Sequence, residues 1–282
     1  MKNPKLISGV ILLILLVGVA VFGPVLAQRA LFADENPLGR GEFRPFQLPS
    51  PEHPLGTDGD GRDGLMVFLS SMLPSFVIGF IAGLVATSLG VLIGFTAGYS
   101  TGRLDTLFRI GIDMVLVIPT LPLLLILAVY IDRWNLGRLA LVLGIFSWPF
   151  SARVIRAQVQ SLRERRYIDL ARLSGANTAE IIFLEILPAL LPYIAFILSA
   201  GMVGAMLAEA GLQIIGLGAS GLPTLGFMIA KGLREGVIGV GLLGQMFLPA
   251  ATLILTFLAL NLIGLGLDEI FNPRLRTTVE ER

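Results

Sequence analysis

The sequence predicts an all-α polytopic membrane protein with six transmembrane helices, and three observations carry that prediction. Of 282 residues, 55% are hydrophobic and only 15% are charged, whereas a soluble domain needs about 25% charged residues to cover its surface. Mean hydropathy is +0.83. The apolar residues also gather in recurrent runs near the length of about 20 residues that crosses a bilayer, and Lys and Arg divide unequally among the segments between them.

The first run, residues 6–27, follows Lys2 and Lys5 and is interrupted only by small residues and Pro24. Val25-Leu26-Ala27 has the small-residue character of a cleavage site, but the apolar part of a signal peptide is usually about 7–15 residues long. The run therefore reads as an uncleaved anchor. Residues 28–64 are polar and proline-rich and belong outside. Further apolar stretches fall at 72–98, 107–131, 136–150, 181–207 and 249–270. With the N-terminus inside, thirteen of the 21 Lys and Arg fall on the cytoplasmic side, as the positive-inside rule requires. Both termini and segment 153–180 are then cytoplasmic, while 28–71 and 208–247 are external. Residues 1–71 form an anchor helix with its external segment, and 72–282 form the core.

Within the spans, glycines repeat at small-residue spacing, as in Gly79-x-x-x-Gly83 and Gly90-x-x-x-Gly94, which is a helix-packing pattern. Pro119, Pro122, Pro188 and Pro192 should bend helices or stand near their ends. Asp105, Arg109 and Asp113 lie four residues apart and predict an ion-pair ladder along one helix face. Glu209 ends the fifth span on the outer side, where it is placed to meet a partner subunit or a substrate path. His53 reads as an ordinary surface residue.

Composition excludes several function classes. Net charge is +1, so there is no global field for nucleic acid. With no cysteine and one histidine, thiolate chemistry, disulfides and the usual zinc sites are excluded. The acidic run at 58–64 fails as a calcium loop, because Arg62 and Asp63 stand where an oxygen ligand and a glycine are needed. It reads better as a helix start capped by Asp58 or Thr57. A membrane enzyme would place a catalytic constellation at membrane depth, and no span interior holds His, Cys or Lys. The chain also lacks the glycine-rich phosphate loop with its Lys.

The most informative segment lies between the fourth and fifth spans. Residues 163–174 combine helix formers with charges, and Gly175 stands where a C-cap belongs. Asp169-Leu170-Ala171, then Gly175, then Leu187-Pro188 resemble the EAA loop of the membrane subunits of ATP-binding-cassette importers, with the loop spanning about 153–188. Asp169 replaces the usual Glu, Leu170 the first Ala, and Glu185 a frequent His. Leu55-Gly56-Thr57-Asp58 with Gly61-Arg62-Asp63, Glu209-Ala210-Gly211 with Gly216-Leu217-Gly218, and Asn272-Pro273-Arg274-Leu275-Arg276 resemble signatures of the peptide and nickel branch.

This resemblance implies a type I importer permease fold in the cell inner membrane and a non-enzymatic subunit. It implies no cofactor in this chain, since ATP and Mg would be bound by the partners. Those partners would be a homologous second permease subunit, two ATPase subunits and an external solute-binding protein, with lipid around the spans. Asp169, Leu170, Ala171, Gly175, Leu187 and Pro188 would couple the ATPases to the membrane helices. Gly56, Thr57, Asp58, Gly61, Arg62, Asp63, Glu209, Gly216 and Gly218 would be motif positions of unassigned role. The branch carries peptides, oligosaccharides, nickel or glutathione, and peptide is the first expectation.

Overall fold

A computed structural model describes residues 3–33, 35–130, 134–218 and 223–271. The Asn272-to-Arg276 motif and Arg133 lie outside them. The described residues are helical throughout the membrane region: α1 (Pro4–Leu31), α2 (Gly64–Tyr99), α3 (Arg103–Val117), α4 (Thr120–Tyr130), α5 (Leu136–Arg163), α6 (Arg166–Leu173), α7 (Thr178–Ile214), α8 (Leu225–Glu235) and α9 (Gly244–Phe271). Five of these are long and apolar enough to cross a membrane, and α3 with α4 supply the sixth span if the bent pair is one crossing.

Most spans run longer than their apolar runs. α2 starts at Gly64 and passes through the 71/72 division. α5 continues past residue 150 to Arg163 because its polar half has partners: Arg156 donates to Asp105 at 2.6 Å and Arg153 to Asp113 at 2.6 Å. This corrects the expected ladder along α3. Its carboxylates pair across to α5, and Arg109 makes no ion pair among the described residues. The third span is broken where Pro119 forces Ile118 into an extended conformation, and α3 and α4 meet there at 72°.

Glycine lets α2 approach its two neighbours. Along one side Gly90, Gly94 and Gly98 lie on α5, where a Cβ at Gly90 would overlap Ser151 and one at Gly94 would stand 2.5 Å from the Ala152 carbonyl. Further toward its start, Gly79 and Gly83 meet Met206 and Met202 of α7. Such close backbone approach replaces a hydrophobic drive that lipid cannot supply. Gly90→Val should therefore cost at least about 1–3 kcal/mol by overpacking, seen as earlier thermal unfolding in detergent. Gly111, with no atom within 4 Å of a new Cβ, should accept Ala without loss.

α1 lies along α9, Gly9 resting on the backbone of Ala259 and Ile263. Asn3 caps α1 and also donates to the Gly266 carbonyl at 3.0 Å, while Lys5 pairs with Glu269. These contacts tie α1 to α9.

Candidate functional site

Three places stand out, two of them built from the motif residues, beginning with the loop between α5 and α7. Arg163 does not open the short helix, as its sequence context suggests, but closes α5. Its guanidinium donates to the carbonyls of Tyr99 and Ser100 at 3.2 and 2.9 Å, capping the end of α2 and fixing α5 there. The chain breaks at Glu164 and Arg165, and α6 begins at Arg166. Gly175 has φ +86°. Its N–H donates to the Arg172 carbonyl and that of Ala176 to the Ala171 carbonyl, both at 3.1 Å, which is the Schellman termination that favours glycine.

The two sides of α6 differ. Ile168 is fully buried with Ile155, Val159, Ile181, Ile186 and Leu190, and Ala171 packs at the edge of that cluster. Leu170 and Leu173, one turn apart, are 64% and 84% exposed. Asp169 faces solvent in a loose pair with Arg172 at 3.4 Å. The short helix is thus seated on a buried isoleucine and presents two bare leucines amid charges.

α7 packs against α6 through the same cluster, Ile168 meeting Ile181, Ile186 and Leu190. It starts with a capping box in which Asn177 and Glu180 bond reciprocally. The helix then widens into a π-helical turn over Ile181–Ile186, just before Leu187 and Pro188. Pro188 lacks an N–H and would crowd the preceding turn of a regular α-helix; a π turn relieves both. Span five thus begins at Thr178 and carries its irregularity inside. Beside it Tyr167, Glu185, Tyr193 and Asp268 line a cavity of about 520 Å³, where burial and then the Glu185 charge push the Tyr167 phenol up.

The second place is the cap formed by residues 35–63 and α8. Gly56 and Gly61 have φ +69° and +70°. The Thr57 hydroxyl donates to the Arg44 carbonyl at 2.6 Å and accepts from the Gln47 N–H at 2.9 Å. Asp58 accepts from the N–H groups of Asp60 and Arg62, from the Arg62 Nε at 3.0 Å and from Lys231 Nζ at 2.6 Å. It does not cap α2, and neither does Thr57. Asp63 does, accepting from the Met66 N–H at 2.8 Å.

Asp63 also pairs with His53 at 3.0 Å. His53 is buried against Phe43, edge to face at 4.5 Å, so it is an interior group and not a surface one. The phenylalanine rings exclude water from it. Burial raises the Asp63 carboxyl above its ordinary value, against the hydrogen bonds from Met66 and His53. Lys231 also bridges Asp60 at 2.6 Å and Glu235 at 3.3 Å, and its hydrogen bond holds the Asp60 carboxyl below the usual range.

Glu209 is buried within the chain, so it faces neither a partner nor an open path. It accepts from the Thr224 hydroxyl at 2.7 Å and from Gln213 at 2.9 Å, and Thr224 caps α8 by accepting from the Phe227 N–H. Glu209 thereby fixes the start of α8. Gly216, with φ +83°, ends α7 by the same Schellman pattern as Gly175, and Gly218 makes room for the Gln213 side chain.

The third place is a groove of about 250 Å³ between the α3–α4 break, α5 and α7. Thr120, Ser147 and Ser151 supply hydroxyls, Gly201 and Gly204 the floor, and Phe146 and Phe150 a side; none of its lining residues is charged. Broken helices at membrane depth are tolerated where they line a cavity. From sequence, only the pair of prolines at 119 and 122 hinted at it. Lys231 and Glu235, four residues apart, were the available trace of the cap network, but a single Lys in an external segment reads as solvated.

Residues 90–277 match the model of the family described as the binding-protein-dependent transport system inner membrane component. The chain is similar to the dipeptide transport system permease protein DppC of Alkalihalophilus pseudofirmus, 31% identical over 98% of this chain and 88% of that protein. A probable peptide ABC transporter permease of Sinorhizobium fredii is 33% identical over 91% of this chain and 87% of its own length. The oligopeptide transport system permease protein OppC of Lactococcus lactis subsp. cremoris is 30% identical over 80% and 76%.

Proposed function

The chain belongs to the family of binding-protein-dependent transport system inner membrane components, and on that premise we propose that it forms one half of a peptide path, driven by ATPases that seat on α6. The observation that carries this is the shape of the α6 loop. Its buried Ile168, exposed Leu170 and Leu173, and glycine-terminated end make a rigid knob joined to α7 by a π turn. Asp169, Leu170, Ala171 and Gly175 form the knob, and Leu187 and Pro188 receive its motion.

Closure of the two ATPases on ATP moves α6, and α7 follows because Ile168 shares a core with Ile181, Ile186 and Leu190. The uncharged groove under the α3–α4 break then opens toward the other side. Its hydroxyls suit a peptide backbone, whose amides need partners while its side chains vary. A homologous second permease subunit supplies the facing half. An external solute-binding protein delivers the peptide, and ATP and Mg stay with the ATPases. Peptide permeases among the relatives support this substrate class.

The test is reconstitution of the assembled importer with its solute-binding protein in proteoliposomes. ATP-dependent accumulation of labelled peptide is expected; accumulation of an oligosaccharide or nickel with no peptide uptake would overturn the substrate while leaving the permease. Orientation is tested separately in this cysteine-free chain. A cysteine at Ser174 should react only from the cytoplasm and one at Ser50 only from outside, in line with the Lys and Arg distribution; reversed labelling would defeat the docking assignment.

A further inference from the structure

The loop joining α8 to α9, residues 236–243, is apolar in an unusual place. Val237 and Leu242 are fully buried and hold it down, yet Ile238, Val240 and Leu243 point outward at 50%, 43% and 47% exposure. Leu48 of the cap lies beside Gly241 and is itself exposed. The backbone is largely closed on itself: the amides of Gly236, Val237, Gly239, Gly241 and Leu242 all donate to carbonyls within the loop or at the end of α8. With those five amides already bonded, the loop leaves fewer backbone groups that need water.

We infer that this loop is a shallow membrane anchor, with Ile238, Val240, Leu243 and Leu48 set among the lipid headgroups at the end of α9 remote from Asp268. Two observations favour lipid over a protein occupant. No charged residue lies between Glu235 and Asp268, so loop and span form one uncharged surface. That surface is continuous, since Phe247 and Leu248 in the first turns of α9 are exposed next to the loop.

The length of α9 gives the depth. Its 28 residues span about 42 Å at about 1.5 Å each, against a hydrocarbon core of about 30 Å. With Asp268 near one edge, the first turn of α9 emerges on the other side, and the loop that precedes it lies at headgroup level. Shallow insertion of apolar side chains at that depth is favourable. The nearest carboxylate, Glu235, is already held by Lys231 and by the Gly59 N–H at 3.0 Å, so anchoring drags in no unpaired charge.

The inference needs only that α9 crosses the membrane, and it is independent of what is transported and of how α6 couples. Single cysteines replacing Ile238 or Val240, labelled with an environment-sensitive fluorophore, are placed in the assembled importer in phosphatidylcholine vesicles. The vesicles carry lipid spin-labelled at the headgroup or at the acyl terminus. A blue shift with stronger loss of emission to the headgroup label is expected at both positions, while Glu52→Cys, on the exposed part of the cap, should stay water-like and unquenched. Water-like emission at 238 and 240 would overturn the inference. So would a blue shift that neither lipid quenches, which signals protein contact, or one that arises only when the solute-binding protein is added.

Discussion

Gly175→Glu should leave the chain inserted and folded yet abolish ATP-driven transport. At φ +86° any Cβ carries a left-handed backbone penalty of roughly 1–2 kcal/mol. Within this chain the new side chain meets open space, since no atom lies within 4 Å of its Cβ. The loss is therefore local and small beside the spans. The glutamate stands at the end of α6 near Leu173, where an ATPase docking as proposed would bury an apolar surface, and an unpaired charge there is costly.

The measurement is co-purification of the ATPases together with substrate-stimulated hydrolysis in proteoliposomes. Asp169→Lys is the companion. Its exposed pair with Arg172 at 3.4 Å contributes at most about 1 kcal/mol to the helix, so weakened ATPase association would report docking and not unfolding. Normal assembly and normal stimulated turnover in both variants would remove α6 from the coupling path.

Lys231→Met should destabilise the chain by about 3–5 kcal/mol, the usual consequence of removing one partner from a buried charge network. Lys231 and Asp58 are both buried, and without the ammonium Asp58 and Asp60 keep Arg62 as their ion-pair partner among the described residues, while Glu235 keeps the Gly59 N–H. Thermal unfolding in detergent gives the loss, and Asp58→Asn added to Lys231→Met should recover part of it. The pH dependence has a definite sign. The Asp60 carboxyl, lowered by Lys231 from an ordinary value of 3.8, stabilises the fold above that value, and the contribution vanishes as pH falls through the lower folded value. Asp63, raised by burial, acts oppositely and loses stability as pH rises just above 3.8. Lys231→Met should shrink the Asp60 part of the acid limb, Arg62 still acting on that carboxyl, and leave that of Asp63.

The spans and the short helix α6 with its glycine end were legible in the sequence because each depends on local or periodic information. Apolar length reports the bilayer, and a glycine between a charged helix and a Leu-Pro pair reports a chain reversal that needs positive φ. The α2 glycines were legible as packing for the same reason. The ends of the helices were not. α5 extends to Arg163 because Asp105 and Asp113 come from another helix to meet its arginines, and a hydropathy run cannot anticipate partners 40 and 51 residues away.

By itself the amino-acid sequence determined that this is a multi-pass permease subunit, where its helices begin to be apolar, and that α6 must end at Gly175. Only the tertiary structure decided that His53 is interior, that Asp63 and not Asp58 caps α2, that Glu209 holds α8, and that Lys231 gathers three carboxylates. These residues take their roles from neighbours brought close by α2 and α7. Charge and burial are properties of a pair in space, and sequence spacing records only one half of the pair.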